Sequence, residues 1–574
     1  MKKKPKKSPG KSIKKFFKWL FVAILVLLAF LLFSFSKLLT FLPDAPSLTG
    51  FPFGAKNYLV LAQNPAELRP TGGFVTAYVL LQFRGGELEN MELHDVYGAI
   101  DDHPYVNPPY PLGDLLAHEN YSGHSFRDAN VYGDFPSSAQ ELIKFFNITK
   151  PQVPIDGVLA INFSLFEDVI GVLGEVEYEG QSLNKQNLFE RLEHEINNVD
   201  RHNIEQIYSR KQFLQPVFYA TLKDALKSPL SWRDLSSLVK KALNNKDIQI
   251  YMKDASLQRK YTKKGWTGEW PKPDADTDFF ALVESNLGGM KSNRYITRQV
   301  EHNVYISPGL APDNINDHTF DFTAESKVKI SHHGSDYIPI SGDYTSFVRV
   351  YAPPAARLTD ADKDTLEYDE SGYKVFAKEV ALKPGQSLDL SFKYALPRSV
   401  LRDGLYRLYV PKQASTNDLY SLTVHAPRGM GIQSESMISN ENVAFFKDVL
   451  DGDKIFKLEI LPDKLSPLVI FQKMTALDAA TIHFNEAIKL SDTNQARFQL
   501  IDLNFNDPQT DAPNIKGYVI DPENPRVLNL SFEGLTEQPE ERYKLRVSGI
   551  EDIYGNRVNP DPTEITLIQR NLSY

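Results

Sequence analysis

The sequence predicts a multidomain protein: an N-terminal transmembrane helix, a layered α/β domain and then two β-sandwich domains. Three observations support this. A long uncharged run lies near the N-terminus, strands alternate with helices up to about residue 300, and apolar residues recur with a period of two thereafter. A chain of 574 residues suffices for about three or four folded units. The predicted regions are a basic tail, an anchor, an α/β domain and two sandwiches, at 1–18, 19–42, 45–300, 301–465 and 466–574.

The anchor is predicted from the run Trp19–Ser36, whose 18 residues are uncharged and lie between Lys18 and Lys37. At about 1.5 Å per residue, the run covers most of a hydrocarbon core of roughly 30 Å. The alternative is a cleaved signal peptide, which typically has a shorter apolar region and a small-residue cleavage site. Nine lysines precede the run, and such residues stay on the cytoplasmic side. The expected location is therefore the cell membrane, single-pass, with a cytoplasmic N-terminus and the bulk of the chain extracytoplasmic.

Charge and composition exclude several functions. Beyond its basic tail the chain is acidic, so it would repel nucleic-acid phosphates, and nucleic acid is not an expected partner. The chain has no Cys, which removes disulfides, thiolate metal sites and thiol nucleophiles. It also lacks the glycine-rich loops that hold nucleotide phosphates. An exported transferase of this sequence would need a substrate that is already activated.

The α/β region begins with two apolar runs of strand length, Asn57–Leu61 and Phe74–Phe83, separated by a turn that contains Gly72 and Gly73. These runs predict adjacent buried strands. Ser137 is expected to cap a following helix, because apolar residues recur at helical spacing after it. A further apolar run then predicts another strand, and this alternation indicates a layered α/β core.

After residue 300 the pattern becomes that of half-buried strands. Leu388–Tyr394 and Tyr420–Val424 alternate apolar and polar side chains, and turn residues separate such runs. The alternation predicts an antiparallel sandwich at 301–465, and the same style at 466–574 predicts a second one.

The segment Asn57–Gly73, NYLVLAQNPAELRPTGG, closely resembles the opening signature of an uncharacterised bacterial family, domain of unknown function 4012. The signature continues into Phe126–Asn130 and Ile155–Val158. The resemblance extends over residues 57 to about 300, and it brings no established reaction.

The same region remotely resembles the LytR-CpsA-Psr family, extracytoplasmic transferases that join polymers carried on polyprenyl pyrophosphate to the cell wall. The likeness lies in the strand, turn and strand at 57–83, the run Ile161–Phe166 and the segment Arg210–Gln212. Where that family has an Arg-Ser-Asp-Thr turn, this chain has Arg69–Gly73, so one metal-binding carboxylate is missing. Where it has an Arg-Asp pair, this chain has His94-Asp95.

The resemblance implies a site for a lipid-linked pyrophosphate. Arg69, Arg127 and Arg210 are the arginines at the matching motifs, and a guanidinium can grip two phosphate oxygens. Asp95 and Asp128 complete the predicted catalytic set. If the three arginines share one phosphate pocket, an apolar groove for a lipid tail is expected beside them.

Two further ligand sites belong to this interpretation. A Mg²⁺ cofactor would be held by carboxylates of Asp95, Asp101 and Asp102. The backbone amides of Gly72 and Gly73 would cradle an anion.

Each of these residues also has a purely structural interpretation. Arg69 could form an ion pair with Glu67 or clamp carbonyl groups of its turn. Asp101 and Asp102 fit a solvated loop. The glycine pair allows positive φ and close backbone approach.

The last region resembles the bacterial immunoglobulin-like modules of surface-layer proteins. The matching pieces are Phe484–Ala487 and Asp552–Asn556. Such modules commonly serve as spacers or binding units.

Two functions remain open from the sequence. In the first, a membrane-anchored envelope protein binds a polyprenyl-(pyro)phosphate-linked or other anionic glycan in its α/β domain and transfers it to a cell-wall polymer as a phosphotransferase. In the second, the α/β domain is a degenerate binding module of a non-catalytic surface protein, and the sandwiches are spacers or adhesive units. The missing turn carboxylate favours the second.

Overall fold

The computed structural model describes most of the chain beyond residue 41 and shows a β-rich, multidomain architecture. The described residues are 42–96, 103–115, 123–178, 181–191, 221, 232–274, 276–308, 320–335, 342–427, 430–440, 442–461, 464–476, 478–491, 497–502, 514–533, 535, 543–552 and 555–567.

The predicted transmembrane helix is corrected by the structure. None of the helices in the described ranges is both long and apolar enough to cross a membrane. The run at 19–42 itself lies outside the described residues, apart from Leu42, which begins a short 3-10 helix. The predicted single-pass location with a cytoplasmic N-terminus was based on that helix, so it loses its support as well.

The first domain is a five-stranded mixed sheet with helices on both faces. The strand order is β3-β2-β1-β4-β7; β1 pairs antiparallel with β2 and parallel with β4. The strands, including the small hairpin β5–β6, are β1 Ala55–Asn64, β2 Phe74–Arg84, β3 Glu87–Asp95, β4 Gly157–Asn162, β5 Val176–Tyr178, β6 Gln181–Leu183 and β7 Ile248–Met252. The helices are α1 Ala45–Thr49, α2 Leu112–Leu115, α3 Phe135–Thr149, α4 Phe163–Leu173, α5 Trp232–Asn244 and α6 Ala255–Thr262.

Each face of this sheet buries a separate core. On one face, Leu59 and Val158 pack against α3 through residues such as Phe145. On the other face, apolar side chains including Ile250 pack against α5 and α6. The layered α/β core follows from strands that present apolar residues to both sides.

Helix α3 begins two residues earlier than its predicted cap. Asp134, not Ser137, is the N-cap: its carboxylate accepts the Ser137 amide at 2.9 Å and the Ser137 hydroxyl at 2.6 Å. Pro136 fits the first turn, where a helix needs no amide hydrogen.

One edge of the sheet gathers several of the predicted site residues. The strand β1 ends at Asn64, which is in register with Phe74 at the start of β2. Asp95 at the end of β3 is in register with Ala77, and Asn162 at the end of β4 is in register with Gln63. The turn of Arg69 and the carboxyl ends of the parallel pair therefore lie at the same edge.

The second domain is built from three sheets around one large core. Their orders are β13-β16-β11-β10-β19-β22-β21, β14-β15-β12-β9 and β17-β18-β23-β20, with β8 on β18. The strands are β8 Asp278–Phe279, β9 Ala281–Asn286, β10 Ile296–Pro308, β11 Phe320–His332, β12 Tyr344–Ala352, β13 Arg357–Ala361, β14 Leu366–Glu370, β15 Tyr373–Leu382, β16 Ser387–Leu396, β17 Leu401–Arg402, β18 Leu405–Val410, β19 Leu419–His425, β20 Gly431–Gln433, β21 Ile438–Asn440, β22 Val443–Val449 and β23 Lys454–Leu461.

This domain differs from the predicted antiparallel sandwich in two respects. The pairs β10–β19 and β8–β18 are parallel. The strands β8 and β9 also lie ahead of the predicted boundary at residue 300, yet they pair with β18 and β12 beyond it. The alternation of side chains predicts a strand's burial but not its partner, which explains both differences.

The third region has its own core, made only of residues from Val469 onward. Its sheets have the orders β24-β25-β29-β28, β27-β30-β32 and β26-β31. The strands are β24 Val469–Ala476, β25 Ala479–Phe484, β26 Ile488–Leu490, β27 Arg497–Asp502, β28 Asn514–Ile520, β29 Val527–Glu533, β30 Tyr543–Ser548, β31 Ile550–Asp552 and β32 Thr563–Leu567. The immunoglobulin-like resemblance of this region is not confirmed by the comparisons with known proteins.

Candidate functional site

The turn between β1 and β2 is held by a buried polar network. Thr71 Oγ1 accepts the side-chain amides of Gln63 at 2.7 Å and Asn130 at 2.9 Å. Its carbonyl accepts Gln249 Nε2 at 2.7 Å, and the Arg69 carbonyl accepts Gln413 Nε2 at 3.2 Å. Partners from β7 and from the second domain thus fix the backbone of this turn.

The guanidinium of Arg69 is largely occupied by protein groups. Nη1 donates to the Asn286 carbonyl, and Nη2 lies 3.2 Å from the Asp128 carboxylate. Its side chain is 15% exposed, and Nε has no hydrogen-bond partner among the described residues. Arg69 thus binds a carbonyl of β9 and not one of its own turn, and its ion pair is with Asp128 instead of Glu67.

Two of the predicted arginines share one carboxylate. Arg127 Nε lies 3.4 Å from Asp128 Oδ2, while Arg69 contacts Oδ1 of the same group. The structure therefore brings Arg69, Arg127 and Asp128 together, with both arginines already paired. Arg210 lies outside the described residues. Their roles in binding or catalysis remain predictions.

The two glycines of the turn are required sterically. Gly72 has a φ of 120°, and a Cβ there would lie 2.6 Å from the Asn162 side chain. A Cβ on Gly73 would lie 2.4 Å from the backbone of Asn64. Each glycine thus has a structural reason to be present; anion binding by their amides stays a prediction.

Of the three predicted metal ligands, only Asp95 lies among the described residues. Asp95 ends β3, beside His94, whose ring stacks on Tyr78 with the ring centroids 4.9 Å apart. Asp101 and Asp102 lie outside the described residues. Within the described ranges, no group of three or more His, Asp or Glu side chains could hold a metal ion. We therefore assign no chemical step to Mg²⁺.

A second feature of the same sheet edge is a cavity of about 530 Å³ between the first two domains. We call it the interdomain cavity. Its walls come from the end of β1 and the following turn, the first turns of α4, the end of α5, β9, β10 and the loop before β19. In α/β sheets, ligands bind outside the carboxyl ends of the parallel strands, which is where this cavity lies.

One wall is a buried network of charges around Arg298. Its guanidinium binds Asp418 through two hydrogen bonds of 2.7 Å and lies 3.2 Å from Glu284. The Glu284 contact is itself a hydrogen bond, and Gln413 accepts a fourth one from Arg298 at 3.0 Å. Charges buried this deeply are costly unless every group is paired, so the network defines a rigid wall.

A lysine and an aspartate with shifted pKa values line the cavity. Burial lowers the pKa of Lys412 to about 8, although Asp247 opposes the change. Burial raises the pKa of Asp247, and Lys412 partly offsets it. Perturbed titratable groups that converge in a cleft are typical of functional sites.

Another part of the lining combines an ion pair with aromatic rings. Arg294 Nη1 donates to Glu167 at 2.9 Å, and its guanidinium lies 4.1 Å from the centre of the Phe189 ring. Burial raises the pKa of Glu167 against the effect of Arg294. Phe163 adds a second ring to the lining.

The sequence did not point to this cavity. Asp247 ends a run of polar residues before β7, and Lys412 follows the apolar strand β18. Both positions look like ordinary surface turns in the sequence. They meet only because the second domain packs on the sheet edge, and a single sequence carries no signal for that packing.

The fold and the site define a multidomain protein in which an α/β domain packs against a β-sheet domain, with a polar cavity between them. A family model described as "Protein of unknown function (DUF4012)" matches residues 54–196. This agrees with the family resemblance seen in the sequence, over a shorter range than predicted. A comparison with curated proteins found no match.

Comparison with solved structures gives only distant similarity. The chain is similar to TagV of Bacillus subtilis, at 15% identity and a TM-score of 0.22, covering 37% of this chain and 81% of that one. It is also similar to Lin1025 from Listeria innocua, at 11% identity and a TM-score of 0.21, covering 36% and 78%. An M1 zinc metallopeptidase from Deinococcus radiodurans shows 8% identity and a TM-score of 0.18, covering 35% and 48%. Similarity at this level assigns no function.

Proposed function

We propose that this chain is a glycan-binding protein of the cell envelope whose ligand enters the interdomain cavity. The observation behind the proposal is the cavity itself. It lies at the carboxyl ends of β1 and β4 and is lined by amides, hydroxyls, paired charges and two phenylalanine rings. Such a lining offers many hydrogen-bond donors and acceptors with apolar faces between them, which suits a ligand rich in hydroxyl groups.

The charges of the lining favour a saccharide over a lipid tail in this cavity. Of the described residues, five cationic and five anionic side chains line it, and most of them pair with each other, as Arg294 does with Glu167. A polyprenyl chain needs an apolar slot, which this lining does not provide. Asp128 partly neutralises both Arg69 and Arg127, which favours binding over phosphoryl transfer at this turn.

The proposal is tested by blocking the mouth of the cavity. Asn417 is exposed, lines the cavity and precedes β19, so Asn417→Trp should fill the entrance without disturbing the core. Soluble fragments of bacterial cell-wall glycan are incubated with the full chain, and the bound fraction is measured by equilibrium dialysis. We expect Asn417→Trp to weaken binding at least tenfold.

The matched control is Asn440→Trp, an exposed position on β21 away from the cavity. This variant should bind the fragments as the unchanged protein does. The proposal is wrong if the unchanged protein binds no wall glycan, or if both tryptophan variants bind equally well.

A further inference from the structure

The outer face of the largest sheet of the second domain differs between its two halves. The sheet β13-β16-β11-β10-β19-β22-β21 directs alternate side chains of its strands to the core and to solvent. On the half formed by β16 and β11, the outward side chains include Lys393, Glu325, Lys327, Lys329 and Asp389. Charges in this density are expected of a sheet face that stays in water.

The other half of this face exposes large apolar side chains. We call it the apolar half-face, and it consists of the outward side chains of β10, β19, β22 and β21. Ile438 on β21 is 76% exposed, and Phe445, in register with it on β22, is 40% exposed. Val449 and Tyr305 point outward from β22 and β10 and are 43% and 39% exposed. Contiguous exposed apolar surface of this kind marks an interaction site.

Two opposite charges flank the apolar half-face. Glu301 on β10 is in register with Ser421 on β19, which is in register with Lys447 on β22. All three residues therefore lie in one row across the sheet, and the two charged ones are exposed. Their strands lie two spacings, about 10 Å, apart, which keeps the carboxylate and the ammonium from pairing within one chain.

A two-fold rotation about an axis parallel to β19 makes the apolar half-face complementary to itself. The rotation places β10 of one copy opposite β22 of the other, with the rows of the two sheets in line. Each Glu301 then faces Lys447 of the other copy, and Tyr305 faces Val443. Sheets that pack face to face commonly keep their strands nearly aligned, as this arrangement requires.

We propose that the apolar half-face binds the same surface of a second copy of this chain, forming a two-fold dimer. A two-fold interface must be self-complementary, and the matched positions of Glu301 and Lys447 favour a second copy over an unrelated partner. Four strands of seven residues span roughly 450 Å² per copy. About 900 Å² in total is small for a specific interface, so the dimer is expected to be weak and reversible. Dimer formation is independent of the ligand of the interdomain cavity.

The first experiment measures sedimentation velocity of the full chain over concentrations from about 1 to 200 µM, a range suited to weak association. We expect a dimer in the upper part of this range. Ile438→Asp/Phe445→Asp should weaken dimerisation at least tenfold, and the exposure of both positions means that the fold should be kept. The matched control is Val519→Asp, an apolar position on β28 that is 56% exposed and should dimerise as the unchanged protein does.

The second experiment reverses the two charges. Glu301→Lys and Lys447→Glu each place like charges opposite each other at both ends of the interface, so each variant alone should dimerise about tenfold more weakly. An equal mixture of the two variants should form a mixed dimer as stable as that of the unchanged protein, because every contact then joins opposite charges again. Lys393→Glu, on the charged half of the same face, should have no effect.

Three results would overturn the dimer and leave the proposed function intact. They are a chain that stays monomeric over the whole range, association that persists in Ile438→Asp/Phe445→Asp, and a mixture of the charge variants that associates no better than its components. A fourth result would assign the apolar half-face to a saccharide and likewise overturn the dimer: a monomeric chain whose binding of wall glycan is lost in Ile438→Asp/Phe445→Asp.

Discussion

The carboxyl group of Asp278 on β8 is buried, and its hydrogen bonds offset little of the cost of that burial. It accepts the Tyr406 hydroxyl and, at 2.7 Å, the amide of Phe279. Among the described residues no cation offsets this burial, which raises the pKa of Asp278 to about 7. The folded protein therefore holds a proton that the unfolded chain releases near pH 4.

This carboxyl should make stability fall as pH rises. Below pH 4 the carboxyl is protonated in both the folded and the unfolded state. Between pH 4 and 7 it ionises only in the unfolded state, so the free energy of unfolding falls by up to ~4 kcal/mol. Asp278→Asn keeps an acceptor for Tyr406 but cannot ionise. We expect denaturant midpoints of the variant to exceed those of the unchanged protein increasingly from pH 4 to pH 8.

The control for this pH dependence is Asp448→Asn on β22. This carboxylate is exposed and, within the part of the chain that the structure describes, accepts only the neighbouring Val449 amide. Its midpoints should follow those of the unchanged protein at every pH. Parallel curves for Asp278→Asn would contradict the assignment.

Substitutions at two glycines distinguish the cost of a steric clash from the cost of a strained backbone conformation. Gly72→Ala combines a φ of 120° with a contact of 2.6 Å to Asn162, and we expect a loss of ~3 kcal/mol in unfolding free energy. Gly385→Ala has a φ of 81° and no heavy atom within 4 Å of the new Cβ, so ~1 kcal/mol is expected. Urea unfolding of both variants measures the difference. Equal losses would show that the turn can open to accept a side chain.

At the scale of elements, the N-cap of α3 also attaches that helix to the chain before β8. Asp134 caps α3 and accepts the Trp270 amide at 2.8 Å through its other oxygen. Asp254 caps α6, and among the described residues its carboxylate accepts hydrogen bonds only from Ser256 and Leu257 of that helix's first turn. The aspartate at α6 therefore only caps its helix, whereas the aspartate at α3 caps its helix and also binds a distant backbone amide.

These two caps should respond differently to alanine. Asp254→Ala loses a cap, which costs about 1 kcal/mol. Asp134→Ala also leaves the Trp270 amide without its partner, so the expected loss is ~2–3 kcal/mol. Thermal melting compares the variants, and Asp134→Asn should restore most of the stability. Equal losses for the two alanine variants would mean that the Trp270 bond is dispensable.

The sequence predicted these elements where a local pattern determines them. The runs that became β1 and β2 were found because both are apolar and separated by a glycine turn. The cap of α3 was misplaced, since Ser137 and Asp134 are both good capping residues and only the tertiary bond to Trp270 distinguishes them. The Arg69–Asp128 ion pair could not be predicted either, because a motif indicates candidate functional residues but not which of them are in contact.

For the whole molecule, a buried lysine connects the first two domains. Lys246 follows α5 and is 3% exposed; its Nζ lies 2.6 Å from Asp453 and donates to the Lys412 carbonyl at 3.0 Å. These bonds cross from the α/β domain to the loops around β18 and β23. Lys412, whose carbonyl accepts from Lys246, also lines the interdomain cavity, so this connection lies beside it.

Removing this charge should destabilise the junction. Lys246→Met leaves Asp453 without its cation, and we expect a loss of ~3 kcal/mol with separate calorimetric transitions for the two domains. Lys454→Met breaks a pair with Asp451 that is mostly exposed and should cost less than ~0.5 kcal/mol. A single unshifted transition for Lys246→Met would show that other contacts couple the domains.

The turn of Arg69 is completed by distant parts of the chain, and this affects how the protein is made. Gln413, which donates to the Arg69 carbonyl, lies 344 residues after Arg69. Asn286, whose carbonyl accepts from the Arg69 guanidinium, lies 217 residues after it. Synthesis adds about 5–20 residues per second. The newly synthesised first domain therefore spends tens of seconds with the Arg69 carbonyl and guanidinium exposed to water. During that interval the turn is open to chaperones and proteases that the finished protein excludes.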